Sequence, residues 1–126
     1  MKIEHLAIWV GELEAMKSWY CGNLGLTSGE LYHNPKKGFS SYFLSFESGA
    51  RIELMQRQDI KSGSEGPQIG YAHVAISLGS KEKVDEMTAL FQKKGIPVVD
   101  GPRTTGDGYY ESVVQDPEGN LIELTI

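Results

Sequence analysis

Two histidines and two glutamates recur at matching places in this chain. His5 lies in Ile3-Glu4-His5-Leu6-Ala7-Ile8, which reads against Tyr71-Ala72-His73-Val74-Ala75-Ile76. Glu53 lies in Gly49-Ala50-Arg51-Ile52-Glu53-Leu54, which reads against Gly119-Asn120-Leu121-Ile122-Glu123-Leu124. A lone strand histidine is ordinarily a packing or hydrogen-bonded residue, and a lone strand glutamate is ordinarily solvated. The same pair at equivalent positions of two repeats is a different observation. Neutral imidazole and ionised carboxylate are ligands suited to Zn, Ni, Co, Mn and Fe(II). Burying either carboxylate without a cation would be costly. His5, Glu53, His73 and Glu123 are therefore expected to converge on one divalent metal ion.

The elements that must position them follow from the hydrophobic pattern. Residues 2–10 alternate with the strand period, placing Leu6, Ile8 and Val10 on one face and His5, Ala7 and Trp9 on the other. Residues 71–78 repeat this, with Val74, Ile76 and Leu78 opposite His73. Strands are expected at 40–47 and 50–57 about the Ser48-Gly49 turn, and at 109–115 and 120–125 about Asp116-Pro117-Glu118-Gly119. In both later strands the glutamate opposes the aliphatic face. Residues 12–22 carry Leu13, Met16 and Tyr20 at helical spacing. A second helix starts at Ser80 as N-cap, shows Val84, Met87 and Leu90/Phe91 as its apolar stripe, and ends at Gly95. The helices should cover the aliphatic face. The other face should be a more polar concavity, with small Ala7 and Ala75 leaving room.

The chain thus reads as one α+β domain over 1–126 built from two tandem βαβββ modules, roughly 1–57 and 70–126. The linker, 58–69, is rich in Ser, Gly and charge. At 126 residues it is long enough to bury a core without disulfides. Hydrophobic content of 40% argues against disorder. No apolar run approaches the ~20 residues of a membrane span, and no signal peptide is visible, because Glu4 and His5 interrupt its position. The single Cys21 suits a reducing cytoplasm. A net charge of −5 with three arginines argues against nucleic acid as partner.

Other candidates carry less. His33 falls in a turn-like Tyr32-His33-Asn34-Pro35, Cys21 has no base near it in sequence, and Lys36-Lys37 reads as a solvated loop pair. Gly106-Asp107-Gly108 does not open a helix after a strand and is not a nucleotide loop. Trp9, Tyr42, Phe46 and Tyr109 are aromatic residues available to line a pocket, although strand aromatics are core by default. Arg51, Arg57 and Arg103 are available to an anionic substrate, although each is ordinarily a surface charge. Trp9, Arg51 and Tyr109 are the expected substrate contacts.

These residues resemble the vicinal oxygen chelate superfamily, that is, the glyoxalase–bleomycin resistance–dioxygenase family, and within it the glyoxalase I (lactoylglutathione lyase)-like proteins. The resemblance spans the chain and rests on Lys2–Ala7, Tyr71–Ala75, Asp116–Leu124, and Trp19-Tyr20 followed by Asn23-Leu24-Gly25-Leu26. It implies a U-shaped, eight-stranded mixed sheet around the metal, with ligands in the order His5, Glu53, His73, Glu123. It also implies a homodimer, in which the site is often completed across the interface. Bacterial glyoxalase I carries an Arg four residues after its first ligand His, where it holds the glutathione carboxylate. Trp9 stands there in this chain, which leaves the thiol open.

The implied activity is a metal-dependent lyase or isomerase acting on an α-hydroxycarbonyl, such as a methylglyoxal–thiol hemithioacetal, through an enediolate. Four protein ligands on a six-coordinate ion leave two neighbouring positions for two adjacent substrate oxygens, whereas a tetrahedral zinc site would be closed. The metal would stabilise charge as a proton leaves carbon. Glu123 is by analogy the catalytic base, with Glu53 the symmetric alternative. The rivals are a thiol transferase of the fosfomycin-resistance kind, an extradiol dioxygenase, and a metal-free drug-binding protein of the bleomycin-resistance kind.

Overall fold

Period-two runs of β-branched and aromatic residues bounded by glycine turns build two sheets, each carrying one helix. The computed structural model describes residues 1–61 and 69–126. The chain divides into two compact units, Met1–Ser64 and Glu65–Ile126. The greater part of the expected linker, residues 62–68, lies outside the described residues.

The first unit runs β1 (His5–Trp9), α1 (Leu13–Leu24), β2 (Thr27–Ser28), β3 (Tyr32–Asn34), β4 (Phe39–Ser45) and β5 (Arg51–Arg57). Its sheet has the order β1-β5-β4-β2, with β3 also paired to β4. β1 and β5 are parallel, and β4 is antiparallel to β5. Ile52, Leu54 and Leu44 point toward α1, where Leu13, Met16 and Tyr20 are buried with them. Each such aliphatic side chain contributes roughly 1.5–3 kcal/mol over an exposed one. α1 ends at Gly25, whose φ of 70° suits glycine and whose N–H donates to the Cys21 carbonyl.

The second unit runs β6 (Val74–Ser77), α2 (Lys81–Lys93), β7 (Val98–Thr104), β8 (Tyr110–Gln115) and β9 (Leu121–Thr125). Its sheet order is β6-β9-β8-β7, with β6 and β9 parallel and the others antiparallel. Val114, Ile122 and Leu124 are fully buried beneath Val84 and Phe91 of α2. The Ser80 hydroxyl caps α2 by accepting from the Lys83 N–H at 3.3 Å.

The α+β class and the tandem modules are as expected from the repeat. The first module adds the short β3 to its βαβββ set, so the described residues hold nine strands in two mixed sheets. The stripe of α2 differs from the expected one. Val84, Thr88 and Phe91 are buried, Met87 is partly buried, and Leu90 is exposed. Thr88 enters the core because its hydroxyl is satisfied twice, by the Val84 carbonyl and the Ser112 hydroxyl, each at 2.6 Å.

Candidate functional site

The two units present the same local construction. In the first, Ala7 of β1 is in register with Glu53 of β5, so His5 stands two residues back along a parallel neighbour. In the second, Ala75 of β6 is in register with Glu123 of β9, and His73 occupies the same relative position. Side chains two apart on a strand share a face, and the alanine between them keeps that face open. The result is a His5 Nε2 to Glu53 Oε2 separation of 3.7 Å and a His73 Nε2 to Glu123 Oε2 separation of 3.4 Å. Both carboxylates are 15% exposed, and both imidazoles are more open, at 37% and 44%.

These separations suit shared coordination. Two ligand atoms each about 2.1 Å from an ion lie about 3.0 Å apart at a right angle and about 3.4 Å apart at the tetrahedral angle. The second pair meets that range, and the first meets it with a small closure. Each pair thus offers one imidazole nitrogen and one carboxylate oxygen to a divalent ion, a donor set that fits Zn, Ni, Co, Mn or Fe(II). Among the described residues, no group of three or more His, Cys, Asp and Glu side chains is assembled around one point. Two matched pairs are what the structure brings together.

Glu123 is held by a well-tied turn. The Asp116 carboxylate accepts the Glu118 and Asn120 N–H groups at 3.0 and 2.9 Å and the Asn120 side-chain amide at 2.8 Å. Gly119 completes the turn at φ 87°. This fixes the start of β9 two residues before the glutamate.

Two further carboxylates belong to these surroundings, and neither stood out in the sequence. Glu4 accepts from His5 Nδ1 with one oxygen and from the Arg51 guanidinium with the other. The His5 hydrogen bond, helped by Arg51, holds the Glu4 carboxyl below its ordinary range. Ala72 takes the equivalent place before His73, so the two pairs differ in support. Glu111 of β8 is buried and points to the same face as Glu123, with Arg103 Nη2 at 3.4 Å. Burial first, and then the Glu123 charge, push the Glu111 carboxyl above its ordinary value, partly offset by Arg103. The repeat could not disclose Glu111, because Ser41 occupies the matching position of the first module.

The remaining candidates are placed as follows. Trp9 shares the His5 face, 40% exposed, with the Arg57 guanidinium 5.2 Å from its ring centre and Phe39 edge-on at 6.1 Å. Arg51 is engaged with Glu4 and lies 4.2 Å over the Phe43 ring. Tyr109 is exposed, one residue before β8, with its backbone tied to Thr105. Tyr42 is on the helix side instead, its hydroxyl donating to Glu14 at 2.6 Å. His33 is exposed in β3 and hydrogen-bonds Ser40 at 2.9 Å. No helix among the described residues is long and apolar enough to cross a membrane.

Residues 2–124 match the family described as Glyoxalase/Bleomycin resistance protein/Dioxygenase superfamily. The chain is 26% identical over 127 residues to the lactoylglutathione lyase of Salmonella typhimurium, covering 98% of this chain and 91% of that one. It is similar in structure to the trypanothione-dependent glyoxalase I of Leishmania major, with a TM-score of 0.80 and 25% identity over 99% of this chain and 86% of that one. A glyoxalase family protein from Enterococcus faecalis matches with a TM-score of 0.83 at 23% identity, over 99% and 97% of the two chains.

Proposed function

We propose that this chain, which belongs to the glyoxalase/bleomycin resistance protein/dioxygenase superfamily, is a metal-dependent lyase or isomerase that moves a proton between adjacent carbons of a small α-hydroxycarbonyl. The observation that carries this reading is the duplicated register: His5–Glu53 and His73–Glu123 are built alike, each at a separation one ion can bridge. His5, Glu53, His73 and Glu123 would hold one divalent ion, using both pairs of one chain or one pair from each chain of a homodimer. When bound, the ion supplies Lewis-acid stabilisation of negative charge on two neighbouring substrate oxygens.

The chain's own residues do the rest. Glu123 takes the proton from one carbon and returns it to the next, with Glu53 the symmetric alternative. No oxidant or second substrate is required, since the proton removed is the proton restored. Trp9 and Arg51 on the first unit and Tyr109 on the second contact the substrate. By likeness to the lactoylglutathione lyase of Salmonella typhimurium, the substrate class is the hemithioacetal of methylglyoxal and a thiol, and the product an S-lactoyl thiol. Trp9 stands where bacterial glyoxalase I carries the Arg that holds the glutathione carboxylate, which leaves the thiol open. We place the reaction in the cytoplasm, given the single Cys21.

The test is elemental mass spectrometry on chelator-free protein, followed by turnover of a panel of hemithioacetals. About one ion per chain, with turnover of at least one adduct, supports the reading. No ion after reconstitution with Ni, Co, Zn and Mn defeats it. That result would leave a small-molecule binding protein, for which the supporting observation is the aromatic run in which exposed Trp9 and Tyr32 flank half-buried Phe39.

A further inference from the structure

The two histidines are matched in position but not in what holds them. His73 has Glu123 as its polar partner among the described residues, and Ala72 precedes it. His5 is held on three sides. Its Nε2 faces Glu53, its Nδ1 is bonded to Glu4, and its ring packs edge-on against Phe43 with centroids 5.2 Å apart at 88°. Glu4 is itself fixed, because Arg51 donates to its second oxygen while lying over the same Phe43 ring. The Arg51 N–H also donates to the Glu4 carbonyl at 3.0 Å. Side chain and backbone of Glu4 are therefore both tied to β5, the strand that carries Glu53.

A carboxylate on one ring nitrogen dictates the tautomer. It keeps the proton on Nδ1 and leaves the Nε2 lone pair available on the opposite edge. Carboxylates so placed orient a ligand imidazole and raise its basicity, and their removal typically weakens metal binding 10–100-fold. We propose that Glu4 is a positioning residue for His5, fixing the tautomer and the ring orientation with which His5 presents Nε2 toward Glu53. This rests on the reading that His5 and Glu53 ligate a divalent ion.

The test uses the whole chain, and its two readouts fail separately. The first is the tautomer of His5 in metal-free protein, from the ring ¹⁵N shifts measured where the ring is neutral. Wild type should carry the proton on Nδ1. Glu4→Leu and Glu4→Ala, made in parallel so that the result does not hang on one variant folding, should shift it toward Nε2. Glu4→Gln retains an acceptor and should keep the wild-type tautomer. The second is Co²⁺ affinity, by competition with a chromophoric chelator. Glu4→Leu and Glu4→Ala should bind about 10–100-fold more weakly, and Glu4→Gln should recover part of the loss. An unchanged tautomer, or a changed tautomer with wild-type affinity, overturns the positioning role while leaving the metal reading intact. A wild-type chain that takes up no Co²⁺ overturns the metal reading and this role with it, whatever the tautomer shows.

Discussion

Glu111 stands on the same face of the second sheet as Glu123, because it pairs with Thr125, two residues further along β9. It is 7% exposed. A carboxyl held above its usual value of 4.5 by burial and a neighbouring charge is bound to its proton more tightly in the folded state. Its contribution to stability is present at low pH and is lost as pH rises through the raised value. Metal-free protein should therefore lose stability on going from about pH 4.5 upward through that value, by this group alone. Glu111→Gln should flatten the decline and gain most at neutral pH. Melting temperatures of both proteins across pH 4–8 check this; a decline as steep in Glu111→Gln as in wild type would refute it.

Glu123→Gln keeps the size of the side chain and removes the base. Turnover of the hemithioacetal should fall by about 10²–10⁴-fold, while the melting temperature of the metal-free protein stays within a few degrees. Equal turnover in the variant would remove the assignment of Glu123, and the same substitution at Glu53 would then be the decisive one.

Stripping the metal with a chelator should abolish turnover and lower the melting temperature, and adding a divalent ion should reverse both. An ion at 100 times its dissociation constant stabilises the folded state by about 2.7 kcal/mol. His73→Ala should lose this ion-dependent stabilisation. Scanning calorimetry with and without the ion measures it, and an identical shift in the variant would exclude His73 as a ligand.

Gly101 and Gly22 should respond to alanine in opposite directions. A β-carbon at Gly101 would stand 2.5 Å from the Glu111 carbonyl oxygen and 2.9 Å from the Ser112 α-carbon, at a φ of 79°. Backbone atoms cannot swing aside, so Gly101→Ala should cost more than about 1 kcal/mol. Gly22 lies in α1 with nothing within 4 Å of the added carbon, and Gly22→Ala should gain about 0.5–1 kcal/mol. Urea denaturation of both variants checks the signs.

The sequence disclosed what repeats and what alternates. The offset of His73 from His5 marked both imidazoles, and strand alternation placed Glu53 and Glu123 opposite Ile52 and Ile122, as the buried faces show. What escaped has physical reasons. β7 contains Gly101-Pro102 and irregular pairing to β8, and glycine and proline inside a run argue against a strand. β3 was hidden by Asn34-Pro35, which reads as a turn. Thr88 was hidden because a hydroxyl satisfied by Ser112 is invisible to an apolar pattern. Glu111 and Glu4 have no counterpart in the other module, where Ser41 and Ala72 stand, so the symmetry of the repeat carries no sign of either.

Among the described residues, β1 and β6 each end their sheet, pairing with the strand that bears the glutamate. An end strand is tethered along one side and is the first to peel away in local opening. His5 thus lies in an end strand and His73 directly before one, while the carboxylates lie on the inner strands beside them. An ion gripped by both would act as a rivet, fastening each outer strand to its inner neighbour. Amide exchange along β1 and β6 should then slow when the ion binds, more than anywhere else in either sheet, so that cofactor uptake and the hardening of the sheet margins are one event.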